Sequence, residues 1–272
     1  MATIPDPPGS FYAITGGDQG KRRLDMLAEM MRPTTLWLLE QAGLRSGYRC
    51  LDLGCGGGNV VHEMARIVGP GGSVTGVDSD PQIVELDRQD AKVAGASNVV
   101  YHVADAHVFD GGPFDLVYAR FLLSHVAEPD SVLARMRQLA RPGGRIAVES
   151  IDMSGSYCYP HDPSHARFTE LYTEVVRRGG GDADLGRRLP VMALAAGLGN
   201  VGWNVFQPVR ASGPHKHLQA VTMERIRPAV LDHGLATDQE TDSIINGMHI
   251  FAQDPTTLVA MPRMVQVWGT AL

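Results

Sequence analysis

Leu51-Asp52-Leu53-Gly54-Cys55-Gly56-Gly57-Gly58-Asn59-Val60 joins a short, partly apolar run, Tyr48–Leu53, to a stretch of helical periodicity, Val60–Val68. A strand, a Gly-rich turn and a helix in that order open an α/β unit. Glycines at 54, 56 and 58 let the backbone turn sharply and let a ligand approach with no Cβ in the way. The helix that follows presents unpaired N–H groups toward the same crevice. Open α/β sheets bind ligands at such strand ends. A Gly-x-Gly pair also begins the dinucleotide fingerprint G-x-G-x-x-G, but that pattern needs Gly at 59, where this chain has Asn59. An acid, Asp52, stands two residues before the first glycine.

Outward from this turn, strands and helices alternate. Ser73–Val77 reads as strand and Pro81–Ala94 as helix, with Asp80 suited to its N-cap and Pro81 to its first position. Val99–Val103 and Phe114–Ala119 read as strands, Ser131–Ala140 as helix, and Arg145–Ile151 as strand after the turn Arg141-Pro142-Gly143-Gly144. Short connections in this order predict a parallel sheet wound by right-handed crossovers. Upstream, residues 1–19 form a Pro- and Gly-rich arm. Residues 20–44 predict two helices separated at Pro33. Downstream, residues 163–178 and 185–197 predict helices, Val201–Val209 a strand, residues 215–262 a mostly helical stretch with a stop at Asp254-Pro255, and Met264–Gly269 a last strand. The expected organisation is 1–44 for the arm and helices, 45–152 for a cofactor-binding core, and 153–272 for the remaining strands with a helical acceptor-binding cap.

Two further strand ends carry acids. Asp78, in Val77-Asp78-Ser79-Asp80, suits bidentate acceptance from the two hydroxyls of a ribose. Asp105, in Val103-Ala104-Asp105-Ala106, ends the third strand. Together, Gly54, Gly56 and Gly58 with Asp52, Asp78, Asp105 and the turn Gln138–Gly144 resemble class I S-adenosylmethionine-dependent methyltransferases over residues 48–151. The arm, with Tyr12, Gly16, Gly17 and Arg23, and the helical C-terminal part resemble bacterial small-molecule methyltransferases related to quinone-biosynthesis enzymes. The resemblance implies a Rossmann-like, doubly wound, mostly parallel seven-stranded sheet whose last strand runs antiparallel between the fifth and sixth. It implies S-adenosyl-L-methionine as cofactor, with Asp52, Gly54, Gly56, Asp78, Ser79, Asp105, Ala106 and Arg120 around it and Tyr12 folding over it. In such enzymes the acid after strand three receives the adenine amino group and the next N–H, here that of Ala106, bonds a ring nitrogen. The segment Arg120–His125 after strand four lines the methionine end and opens onto the acceptor.

His125 is the candidate general base; a helix-face histidine held by structure is the competing reading. Arg120 suits pairing with the cofactor carboxylate or an anionic acceptor. Glu149 and Asp152, at the end of strand five, read as hydrogen-bonded strand-end acids before they read as bases. Tyr157 and Tyr159 are candidates to touch an acceptor, and Met223, Ile226, Ile244, Ile245, Met248 and Phe251 either line its pocket or form core. No metal is expected: His161 and His165, and His215 and His217, come without a clear third ligand.

Composition narrows the partners. The 272 residues carry 24 basic and 30 acidic side chains, a net charge of −6, which disfavours a nucleic-acid face; the resemblance implies a small-molecule acceptor. Three cysteines without a CxxC suit free thiols in a reducing, cytoplasmic setting. No apolar run reaches eighteen residues, so no membrane span is expected, and the N-terminus has no signal-peptide pattern. The sequence says nothing of oligomeric state. Two other readings stay open at this stage: an NAD-dependent oxidoreductase, and a repurposed or non-catalytic protein on the methyltransferase fold.

Overall fold

The computed structural model describes residues 17–272. Its first helix, α1 (Gly17–Gln41), runs through Pro33 without a break, so the expected division into two helices does not occur. A proline inside a helix removes one hydrogen bond and costs about 3 kcal/mol. Burial on both sides of Pro33 offsets that cost. Leu27, Met30 and Met31 pack into one apolar cluster, and Leu38 and Leu39 into another.

Next come β1 (Arg49–Leu53), α2 (Asn59–Val68), β2 (Ser73–Asp78), α3 (Pro81–Val93), β3 (Val99–Val103), β4 (Phe114–Arg120), α4 (Pro129–Leu139) and β5 (Ala140–Asp152). Local signals explain the boundaries. Asp80 accepts from the N–H groups of Gln82 and Ile83 and starts α3 with Pro81 in its first turn. Leu116, Val117, Tyr118 and Ala119 are all fully buried, as a strand covered on both faces requires.

The remaining elements are β6 (Tyr157–Tyr159), α5 (Pro163–Arg178), α6 (Leu189–Ala195), β7 (Leu198–Phe206), β8 (Val209–Arg210), α7 (Leu218–Asp232), α8 (Asp238–Gln253), β9 (Leu258–Ala260) and β10 (Arg263–Ala271). The main sheet has seven strands in the order β3-β2-β1-β4-β5-β10-β7. β10 is antiparallel to both β5 and β7, which is the placement expected for the last strand. The order reverses between β1 and β4, and a crevice opens at the carboxyl ends of strands flanking such a point. A small sheet, β6-β9-β8, and the helices α5, α7 and α8 build the cap. The apolar cluster of α5, α7 and α8 also takes in Leu27, Met30 and Met31, so α1 is clamped between cap and sheet. Among the described residues, no helix is long and apolar enough to cross a membrane.

Candidate active site

The turn after β1 is pressed against the turn after β4. Gly54 has φ 75°, and a Cβ there would lie 3.0 Å from Leu122 Cδ1. Leu122 is held there by an unusual neighbour: Phe121 has φ 59°, a left-handed conformation that costs a bulky residue about 1–2 kcal/mol. Two bonds offset this. Phe121 N–H donates to Glu149 O at 2.7 Å, and Ser124 Oγ donates to Phe121 O at 2.8 Å. Gly54 and Cys55 donate their N–H groups to Val77 O, which fixes the turn to the end of β2.

The end of β2 presents a carboxylate already oriented. Gly56 N–H donates to Asp78 Oδ2 at 2.9 Å, and Asp80 N–H to Asp78 Oδ1 at 3.0 Å. Burial raises the Asp78 pKa, and these backbone bonds oppose the rise. A carboxylate oxygen has two lone pairs, so each oxygen keeps acceptor capacity, and together they match a vicinal diol. Ser79 is exposed beside it. After β3, Asp105 Oδ1 accepts from His107 N–H at 2.7 Å and faces His107 Nδ1 at 2.8 Å. Burial acts to raise this pKa, but the His107 bonds prevail and hold it below the usual carboxylate range. Ala106 lies between them, half-buried.

Asp52 is 2% exposed, and burial pushes its pKa up to about 7 against the pull of Arg120. Arg120, at the end of β4, has Nη1 3.5 Å from Thr35 Oγ1 and its guanidinium 6.0 Å from the Phe121 ring centre. The Arg120 charge thus already acts on the buried Asp52. Beneath it lies a buried polar network. Glu149 accepts from Tyr118 OH, from Thr35 Oγ1 at 2.8 Å and from Gln266 Nε2 at 2.8 Å. Gln266 Nε2 also donates to Thr34 O at 3.1 Å, which ties α1 to β4, β5 and β10. Glu149 is a structural acid, and so is Asp152, which pairs with Arg187 and, at 2.7 Å, with Arg263.

The first half of α1 lies over the Gly-rich turn. Leu24 sits 3.4 Å from the place of a Cβ on Gly56. Lys21 Nζ donates to Gly57 O at 3.3 Å and pairs with Asp90 at 2.9 Å and Asp87 at 3.4 Å. Asn59, the residue that departs from the dinucleotide fingerprint, donates from Nδ2 to Asp25 Oδ1 of α1 at 3.1 Å. Asp87 is fully buried below Gly58, and burial pushes its pKa up to about 7 despite Lys21.

His125 ends a short 3-10 turn, Leu123–His125, and is half-buried. Its ring meets Tyr172 of α5 edge-on at 6.5 Å between centroids. Burial first, and then the Arg23 charge, lower its pKa to about 4, so the imidazole is neutral at physiological pH. It therefore lies on the cap side of the crevice. Tyr157 and Tyr159 are 54% and 67% exposed. Met223, Ile226, Ile244, Met248 and Phe251 are buried in the cap cluster, and Ile245 is partly buried against it. Cys55 is buried and its thiol is pushed well above its usual value by burial, which suits packing and not nucleophilic attack. His165 faces Asp162 at 2.9 Å and His217 faces His249 at 2.9 Å; no cluster of three ligating groups occurs among the described residues. Tyr12 lies outside the described residues.

A family profile described as a methyltransferase domain matches residues 44–180, half of the chain. The chain belongs to the S-adenosylmethionine-dependent methyltransferase family. It is 38% identical over 119 residues to the ubiquinone biosynthesis O-methyltransferase of Aromatoleum aromaticum, covering 43% of this chain and 49% of that one. It is 36% identical over 115 residues to the ubiquinone/menaquinone biosynthesis C-methyltransferase UbiE of Saccharophagus degradans, covering 40% and 45%. The chain spans about half the length of the curated relatives it matches. Among solved structures, phosphoethanolamine N-methyltransferase 2 of Haemonchus contortus, in complex with S-adenosyl-L-methionine, shares the fold: TM-score 0.57, 16% identity, 92% of this chain and 56% of that one. The resemblance to quinone-biosynthesis methyltransferases therefore holds, and the NAD-dependent alternative gives way.

Sequence reasoning missed the contacts that α1 makes with this candidate site and the backbone conformation at Phe121. Lys21 and the left-handed Phe121 carry no local signal. Asp87 does carry one: it falls with Ile83, Val84 and Ala91 on the buried face of α3, where the helical period calls for an apolar residue.

Proposed function

We propose that this protein transfers the methyl group of S-adenosylmethionine to a small-molecule acceptor held beneath α5, α7 and α8. The observation that carries the reading is the Asp78 carboxylate, fixed by Gly56 and Asp80 at the switch point of the sheet and matched to a ribose diol. The close approach of Gly54 to Leu122 supports the same assignment, because it brings the Gly-rich turn beside the segment after β4 that this reading assigns to the methionine end. In this reading Gly54 and Gly56 admit the cofactor, Asp78 and Ser79 hold the ribose, and Asp105 with the Ala106 amide receives the adenine. Asp52 and Arg120 set the charge at the methionine end, and Tyr12 closes over it. Residues 45–152 hold the cofactor, 1–44 cover it, and 153–272 complete the sheet and enclose the acceptor.

Bound there, S-adenosylmethionine supplies an electrophilic sulfonium methyl group. The chain's own work is to position the acceptor in line and to exclude water, which α1 and the cap accomplish by burying the crevice. His125 is the candidate to orient or deprotonate the acceptor. Its low pKa keeps the ring neutral from about pH 5 upward. A low pKa also makes it a weak base, so it suits hydrogen bonding to the acceptor better than full proton removal. Incubation with methyl-labelled cofactor and a panel of quinol, phenol and amine metabolites tests the reading. Label is expected in a small product, and failure of S-adenosylhomocysteine to bind would overturn it. With the acceptor in hand, His125→Ala is expected to lower turnover at least tenfold; near-normal turnover would remove His125 from the reaction.

A further inference from the structure

Arg23 is 8% exposed in the layer between α1 and α7, yet its one hydrogen bond among the described residues is neutral: Nε donates to Thr222 Oγ1 at 2.9 Å. The Thr222 hydroxyl proton is committed to Leu218 O at 2.8 Å. No described carboxylate lies within ion-pair distance of Arg23. Three other arginines of the C-terminal half behave differently. Arg167, Arg187 and Arg227 are more exposed than Arg23, and each is paired with an acid. A buried guanidinium without a counter-ion is costly unless something else supplies the anion.

A second buried donor belongs to α7. Gln219 lies three residues before Thr222 on α7, a spacing that places both on one helix face. Gln219 is 6% exposed, and its Nε2 is buried with no acceptor among the described residues. A third sign comes from His125, whose pKa the Arg23 charge depresses further, after burial. The charge of Arg23 therefore reaches His125 on the cap side of the crevice, with no described carboxylate in ion-pair range of it.

We propose that the α1–α7 layer is an anion subsite in which Arg23 and Gln219 receive a carboxylate or phosphate carried by the acceptor. The guanidinium fork suits a planar, bidentate carboxylate or two phosphate oxygens, and the Gln219 amide adds a third donor. Leu27 and Met30 of α1 and Met223 and Ile226 of α7 flank these residues on the same buried faces, so the fitting acceptor has an apolar body and an acidic end. The inference rests on the methyl-transfer reading for the identity of the ligand, but the subsite can fail independently of it. The amino-acid end of the cofactor carries the same carboxylate chemistry, so the two sources must be separated.

Calorimetry separates them. S-adenosylhomocysteine is titrated first into the wild type, Arg23→Met, Arg23→Lys and Gln219→Leu. Benzoate, inorganic phosphate and the neutral isostere benzamide are then titrated into each protein saturated with it. The subsite predicts that benzoate or phosphate binds the wild type at least tenfold more tightly than benzamide. Arg23→Met should abolish that preference, Arg23→Lys should keep most of it, and Gln219→Leu should reduce it about threefold to tenfold. The affinity for S-adenosylhomocysteine should stay within about threefold throughout. Equal binding of all three probes to the wild type overturns the proposal with no variant needed. A tenfold or greater loss of S-adenosylhomocysteine affinity in Arg23→Met overturns it in another way, by assigning the subsite to the cofactor. If S-adenosylhomocysteine fails to bind the wild type, the methyl-transfer reading fails, and the three probes titrated alone still decide whether the anion subsite exists.

Discussion

Asp87→Asn is expected to stabilise this protein as the pH rises. Asp87 is fully buried, its Oδ2 has no partner among the described residues, and Lys21 Nζ stands 3.4 Å from Oδ1. Burial pushes its pKa from 3.8 up to about 7. A raised acid pKa means that the folded state holds the proton more tightly than the unfolded chain. Stability is then complete below the unfolded value, near pH 4, and is lost as the pH climbs through the folded value. Each unit of pKa difference corresponds to about 1.4 kcal/mol. Two units separate pH 5 from the folded pKa, so the wild type should lose about 2–3 kcal/mol from this group between pH 5 and pH 8. The amide introduced by Asp87→Asn is isosteric with the protonated acid and does not ionise, so the variant loses none of it. The measurement is urea unfolding of both proteins at pH 5, 6, 7, 8 and 9. The difference should widen by about 2–3 kcal/mol up to pH 8 and then level off. Asp52 titrates in the same window, and the Asp87 charge helps to raise its pKa, so the loss of that charge in the variant adds to the widening in the same direction. A difference that stays flat with pH, or a variant less stable at pH 8, would refute the reasoning, because it would mean that Lys21 fully compensates the buried charge.

Other outcomes follow from the same geometry. Asp78→Asn cannot accept from both Gly56 and Asp80 while also receiving a diol, so S-adenosylhomocysteine affinity should fall about 10- to 100-fold in calorimetry, with a small change in melting temperature. Gly54→Ala places a methyl group against Leu122 at a φ of 75°, and the expected stability loss is about 1–3 kcal/mol by denaturant titration. Tyr118→Phe leaves buried Glu149 one donor short and should cost about 1–3 kcal/mol in the same assay, while S-adenosylhomocysteine affinity stays within about threefold.

What could be read from the sequence was whatever lay within a few residues of itself. The turn of Gly54–Gly58, the cap at Asp80, the helix over 163–178 and the order of strands all rest on local spacing, and the structure has each of them. The strand-end acids were legible for the same reason, because alternating strands and helices place their carboxyl ends side by side. Pro33 misled because intrinsic propensity was overridden by packing at both ends of α1. The Glu149 network was not legible at all: Thr35, Tyr118, Glu149 and Gln266 are brought together from positions as far as 232 residues apart in the chain by Gln266 and Thr34. The same holds for Arg23 and Thr222, 199 residues apart.

The continuity of α1 through Pro33 has a mechanical side. Downstream of the proline, Thr34 and Thr35 bolt the helix to β5 and β10 through Glu149 and Gln266. Upstream, Lys21, Leu24 and Asp25 rest on the Gly-rich turn, and Arg23 reaches the cap. Pro33 contributes no N–H to the carbonyl of Glu29, so the backbone is least stiff between the bolted half and the resting half. The helix is thus a lever with its fulcrum at that residue. Tilting its upstream arm would break the contacts with the turn and with Thr222 and pull Leu27, Met30 and Met31 from the cap cluster, but would cost no strand-to-strand hydrogen bond, so the crevice and the layer against α7 are coupled through one helix.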